Sequence, residues 1–156
     1  MSMPIVAVVG GGIADAGAES VAEEVGRLLA GRGAIVLTGG LGGVMAAASR
    51  GAAKAGGTTV GLLPGDDRAE ANEWVAVSIA TGLGEARNAL VARAADAMIA
   101  VGGEFGTLSE IALALKLGRP VIGIDTWEIR RSGVTVDPIL RAGDAAHAVE
   151  LVFARI

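Results

Sequence analysis

Short, almost wholly apolar runs alternate along this chain with longer stretches in which apolar side chains return every three or four residues. The runs are 5–9, 34–37, 58–63, 75–80, 97–101 and 121–124, rich in Val, Ile and Ala. None shows clean apolar–polar alternation, so they predict strands covered on both faces, and hence a parallel sheet. Between them the spacing predicts helices near 17–31, 43–56, 85–95 and 107–117, with a last one near 144–155. In the first of these, Val21, Val25, Leu28 and Leu29 form the inward stripe, and Glu19, Glu23, Glu24 and Arg27 are left for solvent. Gly31-Arg32-Gly33 then supplies its stop. Strand–helix alternation of this kind predicts a three-layer α/β fold with right-handed crossovers. One connection breaks the rhythm. Residues 64–73 are polar, carry no predicted helix and form the longest irregular stretch, the kind of loop that tends to be functional or mobile.

Composition narrows the class. A 156-residue chain that is 52% hydrophobic and 19% charged can bury a real core, and a single domain spanning 1–156 is expected. Aromatic residues make up only 3% and the net charge is −4, so neither stacking platforms nor a phosphate-backbone surface is available, and no nucleic-acid partner is expected. With no cysteine, disulfides, thiolate nucleophiles and Cys-based metal sites fall away together. His147 is the single histidine, in the last predicted helix, so neither a metal site nor a Ser-His-Asp arrangement is expected. No apolar stretch approaches membrane-spanning length and the first residues do not resemble a leader, which makes a cytoplasmic protein without membrane contact the expectation.

The 25 glycines matter most, because they gather at strand ends. Residues 102–110, Gly-Gly-Glu-Phe-Gly-Thr-Leu-Ser-Glu, follow an apolar run and open a helix, which would aim free backbone N–H groups and the positive end of the helix at an anion. Gly102, Gly103, Gly106 and Thr107 are therefore candidate phosphate contacts, and Glu110 places a carboxylate one turn further in. Thr107 and Glu110 also fit a capping box, and the residues alone leave both readings open. Gly39, Gly40, Gly42 and Gly43 form a second cradle before a small-residue helix. Four glycines in five positions exceed what a turn needs, and ligand contact is expected there. Gly10-Gly11-Gly12 fails the dinucleotide spacing, and no acidic residue ends the second strand, so a usual dinucleotide site is not expected; Gly11 stays a candidate for close ligand approach. Arg87 and Asn88 open another helix, where an arginine opposes the helix dipole unless an anion or carboxylate partners it.

These three segments together resemble a known family. Residues 102–110 look like the PGGxGTxxE motif of LOG-type (Lonely Guy) proteins, long misnamed lysine decarboxylases. Arg87 falls where that family carries its arginine, and residues 38–45 resemble its GGxxGxM motif. The resemblance covers roughly 5–125 and is closest to a branch near the molybdenum-cofactor carrier proteins and DNA-processing protein A. It implies a Rossmann-like fold with a mostly parallel sheet of six or seven strands, helices on both faces, and a homodimer or higher homo-oligomer with sites near the interface. The Ala/Gly-rich helices are suited to packing across such an interface. The resemblance also implies a nucleotide or other phosphorylated small molecule as ligand. In LOG enzymes that ligand is a nucleoside 5′-monophosphate, hydrolysed to free base and ribose 5-phosphate. Glu110 and Arg87 match the residues given catalytic roles. Glu110 would stabilise the ribosyl centre or activate water, while Arg87 would hold ribose or phosphate and keep Glu110 ionised.

Three positions depart from the motif. Gly102 replaces its proline, Glu104 its second glycine, and Asn88 the lysine that usually follows the arginine. A carboxylate in the cradle and the loss of one cation suit a less highly charged or larger ligand. The expectation is thus a phosphate-ligand-binding protein acting as a LOG-like phosphoribohydrolase. The alternative is a carrier or sensor of a phosphorylated cofactor such as molybdopterin. No resident cofactor is expected.

Overall fold

The computed structural model describes residues 2–156. Seven parallel strands form one sheet in the order β4-β3-β2-β1-β5-β6-β7. They are β1 (Ile5–Gly10), β2 (Ile35–Thr38), β3 (Thr59–Leu63), β4 (Val77–Ala80), β5 (Ala97–Val101), β6 (Val121–Ile124) and β7 (Leu140–Arg141). The helices are α1 (Ala16–Gly31), α2 (Val44–Lys54), α3 (Asn88–Ala94), α4 (Phe105–Lys116) and α5 (Ala145–Phe153). This is a three-layer Rossmann-like fold. Successive side chains of a strand point to opposite faces, which divides the core in two. Val6, Val8, Ile99 and Val101 meet α1, α2 and α5. Ala7, Val9, Met98 and Ala100 meet α3 and α4. All five residues of β5 are buried between β1 and β6, as a central parallel strand requires.

Several local expectations change. The 64–73 loop does carry a short 3-10 turn, Arg68–Glu70, capped by Asp67, whose carboxylate accepts from Ala69 N at 2.9 Å. β4 starts two residues late because the Thr59 hydroxyl donates to Trp74 O (2.7 Å) and accepts from Ala76 N (2.8 Å), replacing the sheet ladder there. The helix expected at 85–95 begins as a 3-10 turn, Gly84–Arg87, and becomes α-helical only at Asn88. β7 is two residues long, too short to leave an apolar run.

The small residues of α2 serve a contact within the chain. Gly26 of α1 lies against the Ala48 carbonyl and Gly51 of α2 against the Glu23 carbonyl, so close that a Cβ at either site would collide with backbone. Glu23 also pairs with Arg50 at 2.9 Å and Lys54 at 3.3 Å across the same crossing. The Ala/Gly pattern is thus spent on α1–α2 packing, and it no longer argues for a contact between copies.

Candidate functional site

The chain leaves β1 and β5 in opposite directions, through β2, β3 and β4 on one side and through β6 and β7 on the other. Such a reversal opens a crevice at the carboxyl ends of the two neighbouring strands, where open α/β sheets bind their ligands. A cleft of about 800 Å³ lies there, within the range of small-molecule sites.

The start of α4 forms one wall. Glu104 is its N-cap but makes no side-chain capping bond, and the first intrahelical donor is Leu108 N, 3.0 Å from Glu104 O. The N–H groups of Phe105, Gly106 and Thr107 have no acceptor among the described residues. Gly106 and Thr107 line the cleft, so the helix presents its positive end to it. Thr107 sits in the third helical position, buried, and the capping-box reading fails: the cap lies three residues earlier. Gly103, at φ +100°, packs under the Thr107 side chain, where a Cβ could not fit. Glu104 is exposed and lines the cleft.

The second glycine cradle is mostly a packing device. Gly43, at φ +59°, presses against the Gly11 carbonyl, and Val44 N donates to the same oxygen at 3.0 Å. Gly42 faces Gly12 O, and Gly40 faces the Leu63 side chain. A Cβ on Gly39 would stand 2.8 Å from both Arg87 Nη1 and Met45 Sδ, so its missing side chain makes room for the arginine. Leu41 and Met45, rather than the glycines between them, reach the cleft surface.

Arg87 is buried at the end of the Gly84–Arg87 turn, and burial lowers its pKa. Nη1 donates to Asn88 Oδ1 at 2.7 Å and Nε is enclosed without a partner, whereas Nη2 makes no bond in the chain and is not enclosed. Glu110 is also buried, and desolvation pushes its carboxyl up to about 7 against the opposing influence of Arg87. The expectation that Arg87 keeps Glu110 ionised is therefore corrected: burial outweighs the arginine, and the two groups form no ion pair within 4.0 Å.

Of the residues singled out from sequence, Gly11, Arg87, Asn88, Gly106, Thr107 and Glu110 line the cleft together. Gly102 and Gly103 border a smaller neighbouring hollow of about 170 Å³. Gly39 and Gly40 are buried behind the cleft, whereas Gly42 is exposed and Gly43 half-buried, and none of the four lines it. Sequence reasoning missed Ile13 and Glu85 as lining residues, because only the fold brings them there, and Pro64 reaches the cleft from the irregular 64–73 stretch. Among the described residues, no group of three or more His, Cys, Asp or Glu is placed to hold a metal, and no helix is long and apolar enough to cross a membrane.

A Rossmann-like fold with glycine turns and an uncapped helix at the strand reversal defines the class, and the chain belongs to the SLOG cluster4 family, whose model matches residues 3–148. An uncharacterized protein of Archaeoglobus fulgidus is 41% identical over 124 residues, covering 80% of this chain and 82% of its own. The molybdenum cofactor binding protein of Rippkaea orientalis is 36% identical with a TM-score of 0.90, covering 99% of this chain and 98% of that one. The Moco carrier protein of Chlamydomonas reinhardtii is 38% identical with a TM-score of 0.87, covering 99% and 100%. DNA processing protein A of Helicobacter pylori, at 18% identity and a TM-score of 0.71 over 97% of this chain and 80% of that one, shares the fold alone.

Proposed function

We propose that this protein binds a phosphorylated heterocyclic cofactor of the molybdopterin class as cargo and releases it unchanged. The observation that carries the reading is the likeness, over 99% of the chain, to a protein named for binding the molybdenum cofactor. The cleft is compatible with such a molecule. The free N–H groups of Phe105, Gly106 and Thr107, with Arg87 Nη2, would take the phosphate. Leu41, Met45 and Pro64 would meet the less polar ring system.

The phosphoribohydrolase reading draws less support. A carboxyl titrating at about 7 is substantially protonated near neutrality, and Glu110 has no hydrogen-bond partner among the described residues to orient it. Asn88 spends its amide oxygen on Arg87 rather than adding a cation to the site. Glu104 adds a negative group beside the helix start. These features favour holding a ligand over cleaving one.

A homodimer without membrane or nucleic-acid contact completes the reading. Val77 and Ile79, each 45% exposed on the edge strand β4, offer apolar surface that a second copy would cover.

The test is anaerobic calorimetric titration of the protein with molybdopterin and, separately, with adenosine 5′-monophosphate. Molybdopterin is expected to bind near one per chain, with Arg87→Ala weakening it at least about tenfold, the size of one charge-assisted hydrogen bond. Absence of molybdopterin binding, or release of adenine, overturns the reading.

A further inference from the structure

Three hydrogen bonds connect Arg87 to the first turn of α4. Arg87 Nη1 donates to Asn88 Oδ1 (2.7 Å), Asn88 Nδ2 donates to Ser109 Oγ (3.1 Å), and Ser109 Oγ donates to the Gly106 carbonyl (2.7 Å). Every group is used in its permitted sense: the guanidinium only donates, while the amide and the hydroxyl each accept one bond and pass on another. The relay crosses from one element to another, since Arg87 and Asn88 lie at the start of α3 and Ser109 lies on α4.

This connection resolves a conflict inside the cleft. Arg87 and Glu110 are both buried, and Arg87 lies close enough to influence the carboxyl electrostatically. Once ionised, the carboxylate would attract the guanidinium strongly in such surroundings. They nonetheless form no ion pair within 4.0 Å. The guanidinium lies instead over Gly39 and beside Met45 Sδ, held by Asn88. An arginine paired with Glu110 would have its charge neutralised before any ligand arrived. Held by the relay, it lines the cleft with Nη2 unbonded and not enclosed.

We infer that Ser109 is a positioning residue which, through Asn88, holds Arg87 away from Glu110 and keeps it available to the ligand's anionic group. Ser109 carries no part of the recognised motif, and it is exposed on α4. This inference rests on the proposed binding role for its consequence, but its geometry can be tested without any ligand. The other charged groups lining the cleft, Glu85 and Glu104, are exposed.

The experiment follows the Glu110 carboxyl by carbon NMR as pH is varied, in wild type, Ser109→Ala, Asn88→Ala and Ser109→Thr. Release of Arg87 onto Glu110 is expected to move its titration in Ser109→Ala and Asn88→Ala down from about 7 toward the ordinary carboxylate range. Ser109→Thr, which keeps the hydroxyl, is expected to titrate as wild type. An unmoved or raised titration in both alanine variants, with folding intact by circular dichroism, overturns the inference. Calorimetry with molybdopterin then gives the consequence, an affinity about five- to tenfold weaker in Ser109→Ala. If the titrations shift but wild type binds no molybdopterin, the relay stands and the cofactor reading falls.

Discussion

Glu110 is the residue on which the chemistry of the site turns. Its pKa rises from the ordinary 4.5 to about 7 because burial disfavours the charged form more than Arg87 favours it. Below pH 4.5 the carboxyl is protonated in both folded and unfolded chains and contributes nothing to pH dependence. Between 4.5 and about 7 the unfolded chain loses the proton while the folded one keeps it, so stability falls as pH rises. Above 7 the loss is complete, on the order of 3 kcal/mol. Glu110→Gln is expected to raise the melting temperature by several degrees at pH 8 and scarcely at pH 4.5, which calorimetric melts at the two pH values will check. Binding should follow the same titration. Ionised Glu110 repels a phosphate, so affinity is expected to fall as pH passes upward through 7 in wild type and to stay flatter in Glu110→Gln. The ratio of the two affinities, measured by titration calorimetry from pH 6 to 8, removes the ligand's own protonation.

At the scale of elements, glycines set how closely the parts approach. Gly26 sits in the α1–α2 crossing with the Ala48 carbonyl where a Cβ would go. Alanine there gains up to about 1 kcal/mol of helix propensity. It also forces the helices apart, which costs about 1–3 kcal/mol or more. Gly26→Ala is therefore expected to be destabilising, read as a lower denaturation midpoint in urea with an unchanged slope. This crossing also marks where the sequence could be misread. Small residues in α2 were legible as a close-packing surface, but not as one facing α1. The strands with continuous apolar runs, 97–101 above all, were legible because burial on both faces leaves a strong local signal. β7 was not, since two residues carry no pattern. The site divides the same way. The residues of α4 and the Arg87 turn could be read as a site because strand–glycine–helix junctions leave a motif. Gly43 is required by the Gly11 and Gly12 backbone, and a glycine required by a neighbouring backbone and one required by a ligand look alike in sequence. Ser109 was invisible, since its partner Asn88 lies 21 positions away and is supplied by α3–α4 packing.

For the whole molecule, the order β4-β3-β2-β1-β5-β6-β7 places the cleft at the strand reversal and leaves β4 as an edge. Val77 and Ile79 on that edge are expected to be covered by a second copy. Light scattering after size exclusion should give a dimer for wild type and a monomer for Ile79→Glu; a wild-type monomer contradicts the dimer. The central claim concerns the fate of the ligand. The most direct measurement is mass spectrometry of molybdopterin recovered from the protein after prolonged anaerobic incubation, beside a panel of nucleoside 5′-monophosphates treated alike. The account predicts molybdopterin bound near one per chain and recovered intact, with every nucleotide unchanged. Free base from a nucleotide in wild type and none in Glu110→Gln would contradict it and make the protein a phosphoribohydrolase.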